Sequence, residues 1–222
     1  MSFARIYEQA AARKGGETAL QALLPRVAER GELEALGDDR YLAEVTRCVF
    51  KAGFVWRVIE NKWPDFEAAF KGFVPLYWQQ VPPDVLEELA RDERIVRNMQ
   101  KIRTVPENAR MIVDGAREHG SFGAFLSQWP SDDQVGLLMW LRRHGARLGG
   151  NTAQYFLRRV GWDGFILSSD VVAGLRREEL LDATHGSKKA LIQAQHAFND
   201  WRRETGLPYS HLSRILSYSV GD

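Results

Sequence analysis

The sequence predicts an all-α fold of about ten helices, and three observations carry that prediction. Apolar residues recur at three- and four-residue steps through most of the chain. Helix-start patterns head these runs and glycines close them. The eight prolines, at 25, 64, 75, 82, 83, 106, 130 and 208, fall between the runs, as expected of helix breakers. No stretch reads as a strand.

The elements follow in order. "YLAEVTRCVFKAGFVWRVI" from Tyr41 reads as one amphipathic helix, and "WPDFEAAFKGFVPLYWQQVPP" from Trp63 is the most interrupted region and a candidate lobe boundary. "TVPE" from Thr104 matches a capping box ahead of "ARMIVDGAREH", and "SDDQ" from Ser131 matches another ahead of "QVGLLMWLRRH". "TAQYFLRRV" from Thr152 and "KKALIQAQHAFNDW" from Lys188 complete the series, with Gly120, Gly145, Gly161 and Gly206 expected as left-handed caps. Residues 134–160 therefore form a helix-hairpin-helix joined by "GARLGG". No repeat, low-complexity segment or long linker divides the chain. We expect a single domain over 1–222 in two closely packed helical lobes: an N-terminal helical extension over 1–37, a core over 38–177 and C-terminal helices over 178–222.

Composition narrows the function. With 45% hydrophobic and 27% charged residues, the chain can bury a sizeable core. No apolar run approaches a membrane span, and "MSFARIYEQAAARK" is not a signal core, so a soluble, cytoplasmic protein without a membrane partner is expected. Cys48 is the only cysteine, which excludes an internal disulfide and a thiolate-rich zinc site. The five histidines, at 119, 144, 185, 196 and 211, lack a spacing that puts two on one helical face, so neither metal nor cofactor is expected. Net charge is +1, yet from Arg142 to Lys189 nine basic residues stand against five acidic ones. That local excess is either a solvated helical surface or the footprint of a polyanion.

The excess surrounds "RLGGNTAQYFLRRVGWDGFILSSD", residues 147–170. Glycines let a partner approach the backbone, and the first amides of the next helix are donors backed by its dipole, which suits a phosphate. An ordinary αα-hairpin, in which glycine only permits the turn, is the alternative. Asp170 reads equally as the N-cap of the next helix.

These residues carry a family resemblance. "LGGNTAQYFLRRVGWDGFILSSDVV" resembles the hairpin-plus-aspartate motif of the helix-hairpin-helix DNA glycosylase superfamily. Upstream, "DDRYLAEVTRCVFKAGFVW", "FEAAFKGF" and "DERIVRNMQKIRTVPENARMI" look like its 3-methyladenine DNA glycosylase I branch. The resemblance spans about Asp38 to Arg177, and its most specific parts are AGFxW at 52–56, RNxxKIxxxxxNA at 97–109 and the spacing from hairpin to aspartate.

The resemblance implies a monofunctional glycosylase of base-excision repair that hydrolyses the N-glycosidic bond of alkylated purines such as 3-methyladenine. It makes Arg147, Leu148, Gly149, Gly150, Asn151 and Thr152 the DNA-binding hairpin, and Asp170 the catalytic aspartate. Bifunctional members carry a lysine where this chain has Asn151, and an amide cannot form a Schiff base. Trp56 matches the aromatic lining the base pocket, with core packing as its alternative, and Phe54 and Tyr41 are weaker candidates for the same pocket. Two departures stand out. Cys48 occupies the position of the branch's base-contacting glutamate, and the branch's zinc, held by two cysteines and two histidines, cannot form here. The implied partner is double-stranded DNA containing damaged bases, bound by a monomer. Competing expectations are a non-catalytic DNA-binding helix-hairpin-helix protein that has lost base excision, and an all-helical protein-interaction module.

Overall fold

The computed structural model describes residues 2–220, which form helices joined by turns and unpaired coil. Among these residues, no helix is long and apolar enough to cross a membrane. Helices are more numerous and shorter than expected. The run from Tyr41 is broken: Asp38–Lys51 is one helix and Trp56–Asn61 the next, with Gly53 turning the chain between them at φ 68°. The apolar period ran through the break because Phe54, Val55 and Trp56 are apolar yet exposed.

The helices gather into two compact units. One comprises residues 29–129 and 138–160. Its axis is the Asp38–Lys51 helix, which buries Tyr41, Leu42, Val45, Val49 and Phe50. Around it lie Thr104–Ala116, Phe122–Gln128 and Thr152–Arg159. The interrupted region from Trp63 lies wholly inside this unit and marks no boundary. Its kinks bring rings into register: Trp63 stacks on Phe73 at 5.5 Å and Phe70 on Phe73 at 5.1 Å. Trp78 closes the run by donating its indole N–H to the Phe70 carbonyl at 2.7 Å.

The other unit comprises residues 2–28, 130–137 and 161–220, so both termini fold together with the segment carrying Asp170. Phe3, Ile6, Phe165, Val171, Leu175, Phe198, Trp201, Ile215 and Leu216 share one core. The segment over 162–167 is buried without a strand partner, so side chains satisfy its backbone. Gln134 accepts from Phe165 N and donates to Phe165 O, both at 2.8 Å, and Ser213 accepts from Ile166 N at 3.0 Å. Asp163 accepts from Ser210 N and from Arg202, each at 2.8 Å. Buried Glu178 is held between Arg5 at 2.6 Å and Arg177 at 2.9 Å.

Several local expectations need correction. Thr104 lies inside its helix, where its hydroxyl donates to Lys101 O at 2.7 Å, so it is not a cap. Asp133, not Ser131, caps the Gln134–His144 helix, accepting from Gly136 N at 2.9 Å, because it stands next to the first turn. Gly120, Gly161 and Gly206 have positive φ as expected, but Gly145 does not. Space explains Gly145: a Cβ there would meet Leu148 and Met111 side chains at 2.6 Å.

Candidate functional site

The end of the Asp38–Lys51 helix and the start of the Thr152–Arg159 helix border one cavity of about 290 Å³. Cys48, Lys51, Ala52, Gly53 and Trp56 line one side, and Asn151, Thr152, Tyr155 and Arg159 the other. Spacings of three and four residues put Cys48 with Lys51, and Thr152 with Tyr155 and Arg159, on one helical face each, while Ala52, Gly53 and Trp56 follow in the turn and at the start of the next helix. Trp56 is 50% exposed, so it is not a core tryptophan. The Tyr155 ring meets it edge-on at 5.4 Å and 85°. Lys51, only 7% exposed, holds its Nζ 5.2 Å from the centre of the Trp56 ring.

Charges behind the lining are paired. Lys51 bonds to Glu60, Arg159 to Glu44, and Arg47 reaches Glu44 at 3.0 Å and Glu60 at 3.9 Å. Burial opposes ionisation of Glu60, but Lys51, Arg47 and Arg159 outweigh it and hold its carboxyl below the usual range. Burial pushes the Cys48 thiol up to about 12 despite nearby Arg159, so the position is neutral.

The segment "RNMQKIRTVPENA" ties this cavity to the hairpin. Asn98 caps the short Met99–Ile102 helix by accepting from Lys101 N at 3.1 Å. The Lys101 ammonium then donates to Phe50 O at 2.9 Å and Ala52 O at 2.7 Å, satisfying carbonyls where the Asp38–Lys51 helix ends. Gln100 accepts from Arg147 at 2.7 Å. Asn108, fully buried, accepts from Ala146 N at 2.8 Å and donates to Ala146 O at 3.3 Å. Both the turn before Trp56 and the hairpin thus hang from one stretch of eleven residues, 98–108.

The hairpin has the form expected. Leu148 is buried and anchors it, while Arg147, Gly149 and Gly150 are exposed. Gly150 needs its positive φ of 55°. Gly149 has no positive φ, and a Cβ there meets nothing within 4 Å, so the turn itself does not demand glycine at 149.

Asp170 is not the cap of its helix. Ser168 fills that role, accepting from Val171 N at 3.3 Å, while Asp170 stands exposed in the first turn of Ser169–Arg177. The neighbouring Ser169 hydroxyl donates to its carboxylate at 3.4 Å. The capping alternative for Asp170 therefore falls away.

Of the base-binding candidates, Trp56 and Cys48 line the cavity. Phe54, 43% exposed, does not line it and lies near Lys101 instead, 5.8 Å from ring centre to Nζ. Tyr41 is core: it is 0% exposed, its hydroxyl donates to Leu33 O at 2.7 Å, and its ring packs edge-on against Phe122 and Phe156. Its amphipathic spacing was that of a buried face, and a ring without exposed area cannot stack on a base. Lys51, Tyr155 and Arg159 escaped the sequence reading, although their i+3, i+4 and i+8 offsets from Cys48 and Asn151 mark the same faces.

Comparisons with known proteins point one way. A family model described as methyladenine glycosylase matches residues 34–138. The crystal structure of a 3-methyladenine DNA glycosylase I is 20% identical, covering 65% of this chain and 87% of that one, with a TM-score of 0.50. The Staphylococcus aureus enzyme, solved to show 3-methyladenine recognition, is 21% identical over 57% of this chain and 77% of its own, with a TM-score of 0.50. A Methanocaldococcus jannaschii 8-oxoguanine glycosylase/lyase, in complex with DNA containing 8-oxoguanine, is 15% identical, covers 96% of both chains and has a TM-score of 0.56.

The chain has the fold of these DNA glycosylases, and part of it, residues 34–138, matches the methyladenine glycosylase family.

The match over 96% of the chain extends the shared fold across both terminal regions, beyond the 34–138 of the family model. The branch's zinc has no donor set in this chain: Cys48 is the sole cysteine and is buried. Among the described residues, no group of three His, Cys, Asp or Glu side chains is placed to hold a metal.

Proposed function

We propose that this protein is a monofunctional DNA glycosylase of base-excision repair that binds double-stranded DNA as a monomer, flips out a damaged nucleotide and hydrolyses its N-glycosidic bond. The observation that supports the reading best is that the glycine-bearing hairpin and the cavity share residues: Asn151 and Thr152 start the second hairpin helix and also line the cavity beside Trp56. DNA gripped through the hairpin amides would therefore lie next to a space suited to a flipped base.

In the reaction, the bond between C1′ and the base nitrogen breaks, water adds its oxygen to C1′, and the base leaves with a proton. Asp170, matched to the superfamily's aspartate, would stabilise positive charge developing on the sugar or orient the water. Its exposed carboxylate, relieved of capping by Ser168, suits that work. Asn151 offers no nucleophilic amine, so the product is an abasic site and the strand stays intact. The branch resemblance brings alkylated purines such as 3-methyladenine as the first candidate substrates, and the chemistry of the cavity decides whether they are taken.

The test is incubation with alkylated and otherwise damaged DNA, followed by chromatography of the released bases, with Asp170→Asn alongside. Base release by the wild type and not by Asp170→Asn supports the reading. DNA binding without release from any lesion would instead mark a protein that has lost base excision.

A further inference from the structure

We propose that the cavity selects a neutral base bearing an exocyclic carbonyl oxygen, such as an oxidised or deaminated base, and turns away cationic alkylated purines. The inference rests on the reading of this cavity as the site of the flipped base.

A cation gains from lying over an electron-rich indole face. Here the chain supplies that cation itself, since the Lys51 ammonium stands over Trp56 at 5.2 Å. Lys51 is paired with Glu60, but Lys51, Arg47 and Arg159 together outnumber Glu44 and Glu60 by one charge, so a positively charged base brought to the same ring meets a net like charge. Among the described residues, no carboxylate lines the cavity to offset it: Glu44 and Glu60 pair behind the lining, and the residue at the branch's glutamate position is the buried Cys48. The lining is rich in donors instead. Lys51 carries three N–H groups and Arg159 five, more than their bonds to Glu60 and Glu44 consume, and the Tyr155 hydroxyl adds another. A carbonyl oxygen satisfies such donors, whereas a base edge bearing amino groups leaves donor facing donor.

Three duplexes test this by equilibrium binding: one with hypoxanthine, one with 7-methylguanine, both on 2′-fluoro sugars that resist cleavage, and one with a tetrahydrofuran abasic analogue as base-independent reference. Base release from the cleavable hypoxanthine and 7-methylguanine duplexes is measured alongside. The expected result is at least tenfold tighter binding of hypoxanthine than of 7-methylguanine, with release favouring hypoxanthine. Lys51→Gln and, independently, Arg159→Gln should bring the affinity ratio towards one, so the test survives if either variant fails to fold. Preference for 7-methylguanine would overturn the inference while leaving the glycosylase reading intact. Equal affinity for all three duplexes would overturn both the inference and the cavity's role. Discrimination without release would keep the inference and remove base excision.

Discussion

Replacing Asn108 by alanine isolates what holds the hairpin. Asn108 is fully buried and spends both halves of its amide on Ala146, accepting at 2.8 Å and donating at 3.3 Å. Alanine leaves the Ala146 N–H and C=O without that partner and opens a small void. Each orphaned group costs about 1–3 kcal/mol if dry. Ala146 is only half-buried, so water recovers part of this, and we expect a total loss of about 2 kcal/mol. Urea denaturation followed by circular dichroism reads the stability. Affinity for an abasic-analogue duplex, measured well below the unfolding midpoint, reads the hairpin. The variant should bind more weakly even while folded, because the loop proposed to meet phosphate is no longer fixed. Stability within about 0.5 kcal/mol of wild type, a change typical of surface substitutions, together with unchanged affinity, would refute the assignment of Asn108 as the hairpin's pin.

Other outcomes follow from the same structure. Asp170→Asn should lower base release on the order of 10²-fold, as for lost electrostatic stabilisation, with the thermal midpoint kept; Ser168→Ala should instead cost about 1 kcal/mol of stability. Reversal of that pattern would return Asp170 to the role of a cap. Wild-type protein should give no borohydride-trapped adduct with damaged DNA, and a trapped adduct would contradict the monofunctional assignment. Gly123→Ala would put a Cβ 2.1 Å from Leu33 O and 3.1 Å from the Tyr41 hydroxyl, and overpacking against backbone should cost about 3 kcal/mol; a denaturation midpoint at the wild-type value would contradict that packing. Burial raises Cys48 from 9.0 to about 12 and raises Tyr41 as well, so the native state keeps protons that the unfolded chain releases. Stability should therefore fall as pH rises above about 9 and be fully present below it. Cys48→Ala should flatten that slope, and an unaltered slope would show that the thiol is not protected.

The hairpin was the most readable part of the chain. Gln134–His144 and Thr152–Arg159 fall where the apolar period placed them, because both helices bury one stripe and end at turns rich in glycine. The cavity was only half readable. Trp56 stood out by type, but Lys51, Tyr155 and Arg159 look like ordinary polar positions until two helices converge and turn those positions into a lining. Tyr41 misled for the opposite reason, since an aromatic at helical spacing gives no sign of which rings keep exposed area. Caps were misplaced where a better acceptor stood nearby, as Asp133 did beside Ser131. The long-range bonds of Asn108 and Lys101 join positions 38 and 49 to 51 residues apart, a separation that local patterns do not encode.

The dependence of both loops on residues 98–108 makes a deep mutational scan informative in an unusual way. Substitutions at Asn98, Lys101 or Asn108 should lower DNA affinity and base discrimination together, because one support carries both. Substitutions at Cys48, Lys51 or Arg159 touch the cavity and leave the hairpin's supports in place. On the proposed reading, reprogramming the lesion is then a matter of editing the second set on an unchanged chassis, and a library that also varies the first would mostly harvest proteins that no longer grip the duplex.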